Sequence, residues 1–194
     1  KELEYLDFGS GFKVKYHDND NTTNIEDLGA KISDRFQEFC ANYGKELTLV
    51  FEPGKFMVSE SGFLFVRTNV IKQTTATVFA GVDSGQNHLI RPMMYDAYHH
   101  ITNISNPNGV QRIYTVVGYI CETDTFGWDR QLNEVREGDI LALHNAGAYG
   151  YSMSSNYNSR YRPAEVLIHN GSAKLIRRRE NLDDLLATQI EVEF

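Results

Sequence analysis

Cysteine is almost absent from this chain, which holds only two, Cys40 and Cys121. Two thiols are too few for a disulfide-stabilised scaffold and suit a reducing compartment, so we expect a cytoplasmic protein. No apolar run approaches the ~20 residues that a membrane-spanning helix needs, and the first residues lack the apolar core of a signal peptide. The sequence therefore predicts no membrane partner.

Positive charge is also scarce, because 19 Lys and Arg stand against 26 Asp and Glu and leave a formal net charge of -7. Such a chain is poorly suited to binding polyanions, which argues against nucleic acid as a partner. The one basic run, Arg177 to Arg179, is followed by Glu180, Asp183 and Asp184 and is typical of a solvated surface. The apolar fraction of 41% is that of a globular protein.

A helical pattern occupies the first quarter of the chain. Apolar residues recur every three or four positions from Ile25 to Tyr43, which predicts one amphipathic helix. Thr23 and Glu26 have the spacing of a capping box at its start, and Gly44 stands where a C-terminal cap belongs. Apolar segments at 3–8 and 46–54 flank the helix, and we expect both to be strands, the first of them buried.

A strand, a helix and a strand in about fifty residues form a βαβ unit, so the two strands are predicted to be parallel. One such unit cannot cover both faces of a parallel sheet. We therefore expect the chain to be the C-terminal part of a larger protein, cut inside an α/β domain.

The rest of the chain reads as strands separated by Gly, Asn, Asp and Pro clusters. This pattern predicts an antiparallel β-barrel or sandwich, so the fold class is α/β followed by all-β, with domains at 1–58 and 59–194. The strand-like segments are 63–73, 76–83, 112–122, 139–151 and 164–178.

Two loops at the ends of the predicted parallel strands have compositions that suit an anionic ligand. Gly9-Ser10-Gly11 follows the first strand, and Glu52-Pro53-Gly54-Lys55 follows the second. Glycines allow backbone N–H groups to approach a phosphate, and lysine adds a positive charge. The same glycine spacing is also common in plain turns.

Cys121 is followed directly by Glu122 and then by Asp124. Neighbouring carboxylates disfavour a thiolate, so this setting predicts a thiol that remains protonated. A structural cysteine in a strand is the alternative, and we accept that alternative for Cys40.

Six motifs, in this order and spacing, resemble the diaminopimelate decarboxylases, members of the fold-type III pyridoxal-phosphate enzymes that include alanine racemase and ornithine decarboxylase. The resemblance covers essentially the whole chain. It implies the last part of a TIM-like α/β barrel followed by a β domain, and a role in lysine biosynthesis. The motifs are LDFGSGF, EPGKF, GVDSGQNHLIRPMMYDAYHH, VVGYICETDTF, NAGAYGYSMSSNYNSRYRPAEV and LIRRRENLDDLL.

The resemblance implies a cofactor, pyridoxal 5'-phosphate, and a set of residues that bind it. Glu52 matches the carboxylate beside the pyridine nitrogen, and Tyr149 matches a hydroxyl at the phosphate. Ser10 and Lys55 depart from the family, which has a third glycine and an arginine at these positions, and lysine lacks the bidentate fork of arginine. The cofactor residues so implied are Gly9, Gly11, Glu52, Pro53, Gly54, Lys55 and Tyr149.

The resemblance also implies the substrate, meso-diaminopimelate, and a homodimer with shared active sites. Arg91 matches the arginine that binds the distal carboxylate, and ornithine decarboxylases lack it. Cys121 matches the acid that protonates the product, from the other subunit. The substrate residues so implied are Lys55, Arg91, Tyr95, Glu122 and Tyr149.

One expected residue has no counterpart, because no lysine here matches the family's Schiff-base lysine on an early barrel strand. We therefore expect the isolated segment to be inactive. His99 and His100 are adjacent, so their side chains point apart and no metal site is predicted. Two alternatives remain open: a related decarboxylase with another substrate such as carboxynorspermidine, and a non-catalytic, decarboxylase-like regulatory protein.

Overall fold

The first part of the chain forms the predicted βαβ unit. The computed structural model describes residues 2–17 and 19–193. In it, β1 spans Tyr5–Asp7, α1 spans Ile25–Tyr43 and β2 spans Thr48–Val50. The strands pair in parallel, from Tyr5 opposite Thr48 to Asp7 opposite Val50, which confirms the prediction.

The start of α1 differs from the predicted capping box. Asn24 is the N-cap, and its side chain accepts a hydrogen bond from the Asp27 backbone N–H at 3.0 Å. Thr23 has another partner, because its hydroxyl oxygen accepts a 2.8 Å bond from the backbone N–H of Lys13. The predicted cap at the other end is confirmed, since Gly44 adopts a left-handed φ of 83°.

Burial of the first strand was predicted wrongly. Tyr5 in β1 is 60% exposed, and α1 has no fully buried residue although its apolar face carries Phe39 and Tyr43. The reason is that β1 and β2 form a two-stranded sheet by themselves within the part of the chain that the structure describes. A sheet this small leaves most of its apolar surface accessible.

The remaining described residues form one large sheet, a separate two-stranded sheet and three short α-helices. Two short helices, α2 and α3, precede and interrupt the strands, and α4 follows the last strand. The bounds are α2 Gly54–Val58, β3 Leu64–Gln73, β4 Val78–Val82, α3 Arg91–Tyr95, β5 Ile101–Asn103, β6 Gln111–Val117, β7 Thr125–Asn133, β8 Ile140–Leu143, β9 Glu165–His169, β10 Ser172–Arg177 and α4 Leu182–Leu186.

The large sheet has six strands in the order β5-β8-β3-β4-β6-β7. Its edge strands β5 and β7 also lie against each other, so the sheet is nearly closed. The predicted all-antiparallel arrangement is wrong at one place, because β4 and β6 are parallel, with Ala80 opposite Val116. The long connection between them, which carries α3 and β5, permits the parallel return. The core cluster comprises Val66, Ala80, Val82, Leu89, Ile101, Tyr114, Val116, Phe126, Leu132, Val135, Leu141 and Leu143.

Most predicted segments extend beyond the strands that the structure shows, and two strands were missed. β6 ends at Val117, so Cys121 lies in the following turn, and β8 ends at Leu143. Segment 164–178 is a hairpin of β9 and β10, whose turn residues Asn170 and Gly171 have positive φ as a tight turn requires. β5, β7, α3 and α4 were not predicted.

The basic run near the C-terminus is solvated, as predicted. Arg178 binds Asp184 through both guanidinium nitrogens at 2.5 and 2.7 Å. Within residues 2–17 and 19–193, no helix combines the length and the apolar character that crossing a membrane requires.

Candidate active site

The glycine loop and Glu52 lie side by side at the carboxyl ends of β1 and β2. The Glu52 backbone N–H donates to the Gly9 carbonyl at 2.6 Å, which extends the parallel pairing by one bond. Gly9 and Gly11 have φ of 62° and 149°, values that side-chain-bearing residues rarely adopt. Neither glycine has an atom within 4 Å of the position a Cβ would occupy, so the loop is open.

This loop fits the phosphate of a cofactor such as pyridoxal phosphate. No described residue accepts a hydrogen bond from the backbone N–H of Ser10 or Gly11, and the Glu52 side chain is exposed without a described hydrogen-bond partner. Free N–H donors suit an anion, and a free carboxylate suits a protonated ring nitrogen. The donor set therefore agrees with the group that the sequence implies.

The segment after the glycine loop is joined to a second loop, residues 144–149, that begins after β8. The Asn145 side chain donates to the Lys15 carbonyl at 2.8 Å. Lys55 approaches the same segment, with its ammonium 5.9 Å from the centroid of the Tyr16 ring. The two loops that carry implied cofactor residues are thus parts of one packed arrangement.

Close backbone packing fixes the 144–149 loop. The Gly147 N–H donates to the Ser59 carbonyl at 3.1 Å, and a Cβ on Gly147 would collide with the Val58 carbonyl oxygen. Tyr149, two residues on, has a φ of 60°, which costs a non-glycine residue about 1–3 kcal/mol. The residue is 46% exposed, so the loop presents Tyr149 at the surface in a constrained backbone conformation.

Arg91, the first residue of α3, is buried and points toward this loop. Its guanidinium carbon lies 5.8 Å from the centroid of the Tyr149 ring, and its Nη1 lies 3.3 Å from His99 Nε2. Among the described residues no carboxylate forms an ion pair with it. A buried guanidinium without an acidic partner is poised to bind an anion.

Tyr95 lies one helical turn after Arg91, on the same side of α3, and is 59% exposed. The structure brings Arg91 and Tyr149 together and places Tyr95 on the same short helix as Arg91.

Cys121 and Glu122 lie in the turn between β6 and β7, and Cys121 is exposed. Asp124 fixes this turn, because its carboxylate accepts bonds from the backbone N–H groups of Ile120 at 3.0 Å and Gln86 at 2.8 Å. Burial raises the pKa of Asp124, although the two backbone hydrogen bonds act in the opposite direction and lower it. The buried Asp124 side chain therefore stabilises the turn that carries Cys121 and Glu122.

Glu122 is held by two neighbouring groups. The Tyr157 hydroxyl donates to its carboxylate at 2.6 Å, and this bond is the main cause that lowers the pKa of Glu122, with a smaller contribution from the Cys121 thiol. The same bond raises the pKa of Tyr157. Glu122 also lines a cavity of about 290 Å³ with Ile90, Met93 and Tyr157.

The predicted site residues thus form three groups in this chain. The glycine loop lies with Glu52, Arg91 lies with Tyr149, and Cys121 lies with Glu122. Among the described residues no hydrogen bond, ion pair or ring contact joins the third group to Arg91 or Tyr149.

Sequence reasoning missed three residues that position this site: Asn145, Tyr157 and His99. Asn145 and Tyr157 are polar residues within a quoted motif, and no pattern of residue spacing distinguishes them from their neighbours. His99 was considered only as a metal ligand, and its place between Tyr98 and His100 gives no sign of burial.

Comparisons with known proteins match this chain to two family models and to several relatives. Residues 34–147 match the family model of the pyridoxal-dependent decarboxylase C-terminal sheet domain, and residues 1–59 match that of the pyridoxal-binding domain. The chain is 43% identical over 191 residues to a diaminopimelate decarboxylase of Methanothermobacter thermautotrophicus, covering 97% of this chain and 44% of that protein. It is 38% identical to one of Aquifex aeolicus, covering 98% and 44%.

A solved structure has the same fold over nearly the whole chain. The diaminopimelate decarboxylase of M. jannaschii, solved in complex with L-lysine, superposes with a TM-score of 0.90 at 36% identity, covering 99% of this chain and 44% of that one. The chain thus spans less than half the length of the relatives it matches. The family model of the sheet domain alone matches more than half of the chain, and we conclude that the chain belongs to the pyridoxal-dependent decarboxylase family.

Proposed function

We propose that this chain is the C-terminal part of a pyridoxal-phosphate decarboxylase that converts meso-2,6-diaminopimelate to L-lysine and carbon dioxide. The observation that carries the proposal is Arg91, a buried guanidinium with no carboxylate partner among the described residues. A substrate with a carboxylate at each end supplies one to the reaction and the other to Arg91. The names of the relatives support the same substrate.

The proposal includes the domain organisation. Residues 1–58 would be the last part of a TIM-like, pyridoxal-binding barrel, and residues 59–194 the β domain. The unpaired edges of the two-stranded sheet and the exposed apolar face of α1 support this division, because further barrel strands and helices would cover both.

The residues of this chain would hold the cofactor at two points. The backbone N–H groups of the glycine loop and the Tyr149 hydroxyl bind the phosphate, with Lys55 contributing charge. Glu52 would bind the ring nitrogen in its protonated form. The cofactor would supply an electron-accepting ring for the decarboxylation.

Arg91, Cys121 and Glu122 would act on the substrate itself. Arg91 binds the distal carboxylate, and Tyr95 adds a hydroxyl beside it. Glu122 binds the distal ammonium, and Cys121 donates the proton that replaces carbon dioxide. Cys121 and Glu122 form no described bond to Arg91 within this chain, and the resemblance implies that they act in the active site of a second subunit, in a homodimer with shared sites.

Substrate comparison in the full-length protein tests the proposal. We expect carbon dioxide release from meso-diaminopimelate, and much slower release from carboxynorspermidine, which has no second carboxylate for Arg91. Preference for carboxynorspermidine would assign the alternative substrate. No release from either, with the cofactor bound, would favour the regulatory alternative.

The chain as given allows a second test. It carries cofactor contacts but no counterpart of the family's cofactor-linking lysine, so we expect weak, reversible binding of pyridoxal phosphate and no decarboxylation. Borohydride reduction followed by mass measurement should show no stoichiometric adduct. A single adduct on one lysine, together with carbon dioxide release, would contradict this expectation.

A further inference from the structure

His99 is completely buried and lies between three elements of the structure. Its Nδ1 is 2.7 Å from the backbone carbonyl oxygen of His144, and its Nε2 is 3.3 Å from Arg91 Nη1. It lies four residues after the end of α3 and two residues before β5, which begins at Ile101. The imidazole therefore joins the helix that carries Arg91 to the loop that carries Tyr149.

The hydrogen-bond partners fix the tautomer of His99. A carbonyl oxygen only accepts, so Nδ1 carries the proton that it donates to His144. Arg91 only donates, so Nε2 must present its lone pair to the guanidinium. Both bonds need a neutral imidazole with the proton on Nδ1.

The charges around His99 favour the same neutral form. Arg91 on α3 and Arg130 on β7 both lie close enough to act on its charge, and no acidic side chain among the described residues counteracts them. Burial is the main cause that lowers the pKa of His99, the two arginines lower it further, and the bond to the His144 carbonyl opposes them.

We propose that His99 is a positioning residue for substrate recognition: it holds Arg91 over Tyr149 with the remaining guanidinium N–H groups free for the distal carboxylate. An arginine side chain has many rotamers, and an anchored one loses less entropy when it binds its ligand. The His144 carbonyl lies in the loop that carries Tyr149, so the imidazole of His99 positions both Arg91 and this loop. This inference rests on the proposed function, since it assigns a cause to the geometry of the proposed carboxylate site.

Two variants of His99 separate positioning from packing. In His99→Gln, the side-chain oxygen reaches the place of Nε2 and still accepts from Arg91. In His99→Asn, the side-chain amide reaches only the place of Nδ1, so the bond to the loop survives and the acceptor for Arg91 is lost. The two variants differ in which bond they keep. Asparagine is also smaller than glutamine by one methylene group, so a ligand without a carboxylate must report the packing loss separately.

Calorimetric binding of L-lysine and of cadaverine to the full-length protein is the test, because cadaverine lacks the carboxylate. We expect His99→Asn to weaken L-lysine binding at least tenfold and His99→Gln less than threefold, with cadaverine binding unchanged in both. Equal effects of the two variants, or equal losses for both ligands, would make His99 a packing residue and overturn the inference.

Arg91→Gln in the same assay distinguishes this inference from the proposed function. If it weakens L-lysine binding and His99→Asn does not, only the positioning role is refuted. If Arg91→Gln leaves L-lysine binding unchanged, the carboxylate site itself is refuted and the inference falls with it.

A measurement on the unmodified protein keeps the inference testable if the variants fail to fold. Nitrogen NMR of the labelled full-length protein reports the tautomer of each histidine. We expect a protonated Nδ1 and an unprotonated Nε2 for His99 at neutral pH. A proton on Nε2 would exclude the bond from Arg91 and overturn the inference.

Discussion

Tyr157 donates a 2.6 Å hydrogen bond to Glu122, and the bond holds the Glu122 carboxylate in its charged form. The two residues are 35 positions apart, and each comes from a loop that the fold brings to one edge of the cavity beside α3. A carboxylate held charged is suited to binding the ammonium of an amino-acid substrate.

Replacement of Tyr157 by Phe should therefore raise the pKa of Glu122 toward its ordinary value. In the full-length protein the acid side of the pH profile for substrate binding should move to higher pH, because protonated Glu122 no longer attracts the ammonium. The measurement is the KM for diaminopimelate across the acid range. Tyr161→Phe is the control, and an equal shift in both variants would argue against the assignment.

Acid should destabilise the fold through its buried histidines. Burial lowers the pKa of His88, His99 and His144 below the ordinary value of 6.5. The unfolded chain then binds more protons than the folded chain just below that pH, so the free energy of unfolding falls as the pH falls through about 6.5. The loss of stability can be measured as the fall in melting temperature between pH 8 and pH 5.

The variant His88→Gln should show a shallower fall in melting temperature across the same range, whatever its stability at pH 8. His169→Gln, at an exposed position of β9, should keep the full dependence. Identical slopes for the wild type and His88→Gln would show that burial of His88 contributes nothing to acid sensitivity.

Two glycine substitutions should change stability in opposite directions. In Gly147→Ala the new methyl group meets the Val58 carbonyl oxygen, which is backbone and cannot swing away, so we expect a loss of about 1–3 kcal/mol. Gly29 lies in α1 with open space around its Cβ position, and Gly29→Ala should stabilise by about 0.5–1 kcal/mol. Urea unfolding of both variants gives the two values.

The Gly147→Ala variant should also lose cofactor affinity, since its loop presents Tyr149. Stability and cofactor affinity that both equal those of the wild type would mean that the loop repacks easily and does not constrain Tyr149.

Mixed dimers should recover activity if the sites are shared. Cys121→Ala and Arg91→Gln each impair every site of their own homodimer. In a heterodimer, one site combines the intact Arg91 of one subunit with the intact Cys121 of the other. Activity of the purified heterodimer well above that of both parents supports sharing, whereas activity at the mean of the parents places both residues in one subunit.

The sequence allowed the βαβ unit to be predicted because its signals are local. The apolar period of α1 and the cap at Gly44 act within a few residues, and the parallel pairing follows from the helix between the strands. β7 was missed because glycine, tryptophan and charged residues interrupt its alternation, and α3 because five residues are too few to show a helical period.

Contacts distant in the chain could not be predicted from these patterns. The parallel pairing of β4 with β6 depends on which strands meet across a long connection. The bond between Tyr157 and Glu122 depends on the meeting of two loops, and the bond between His99 and Arg91 on how α3 packs. The site residues themselves came from the resemblance, which pointed to Arg91 and Tyr149, and the structure adds that these two lie together.

The role of Arg91 is the central claim, and the most direct measurement is kcat/KM for meso-diaminopimelate in the full-length Arg91→Gln variant. Loss of a charge-assisted contact of about 1.5–3 kcal/mol should lower it about 10- to 150-fold. Arg112→Gln is the matched control, because Arg112 is solvent-exposed and 3.5 Å from Glu134. Such a fall in Arg91→Gln alone is the predicted result, and a change below twofold would contradict the account.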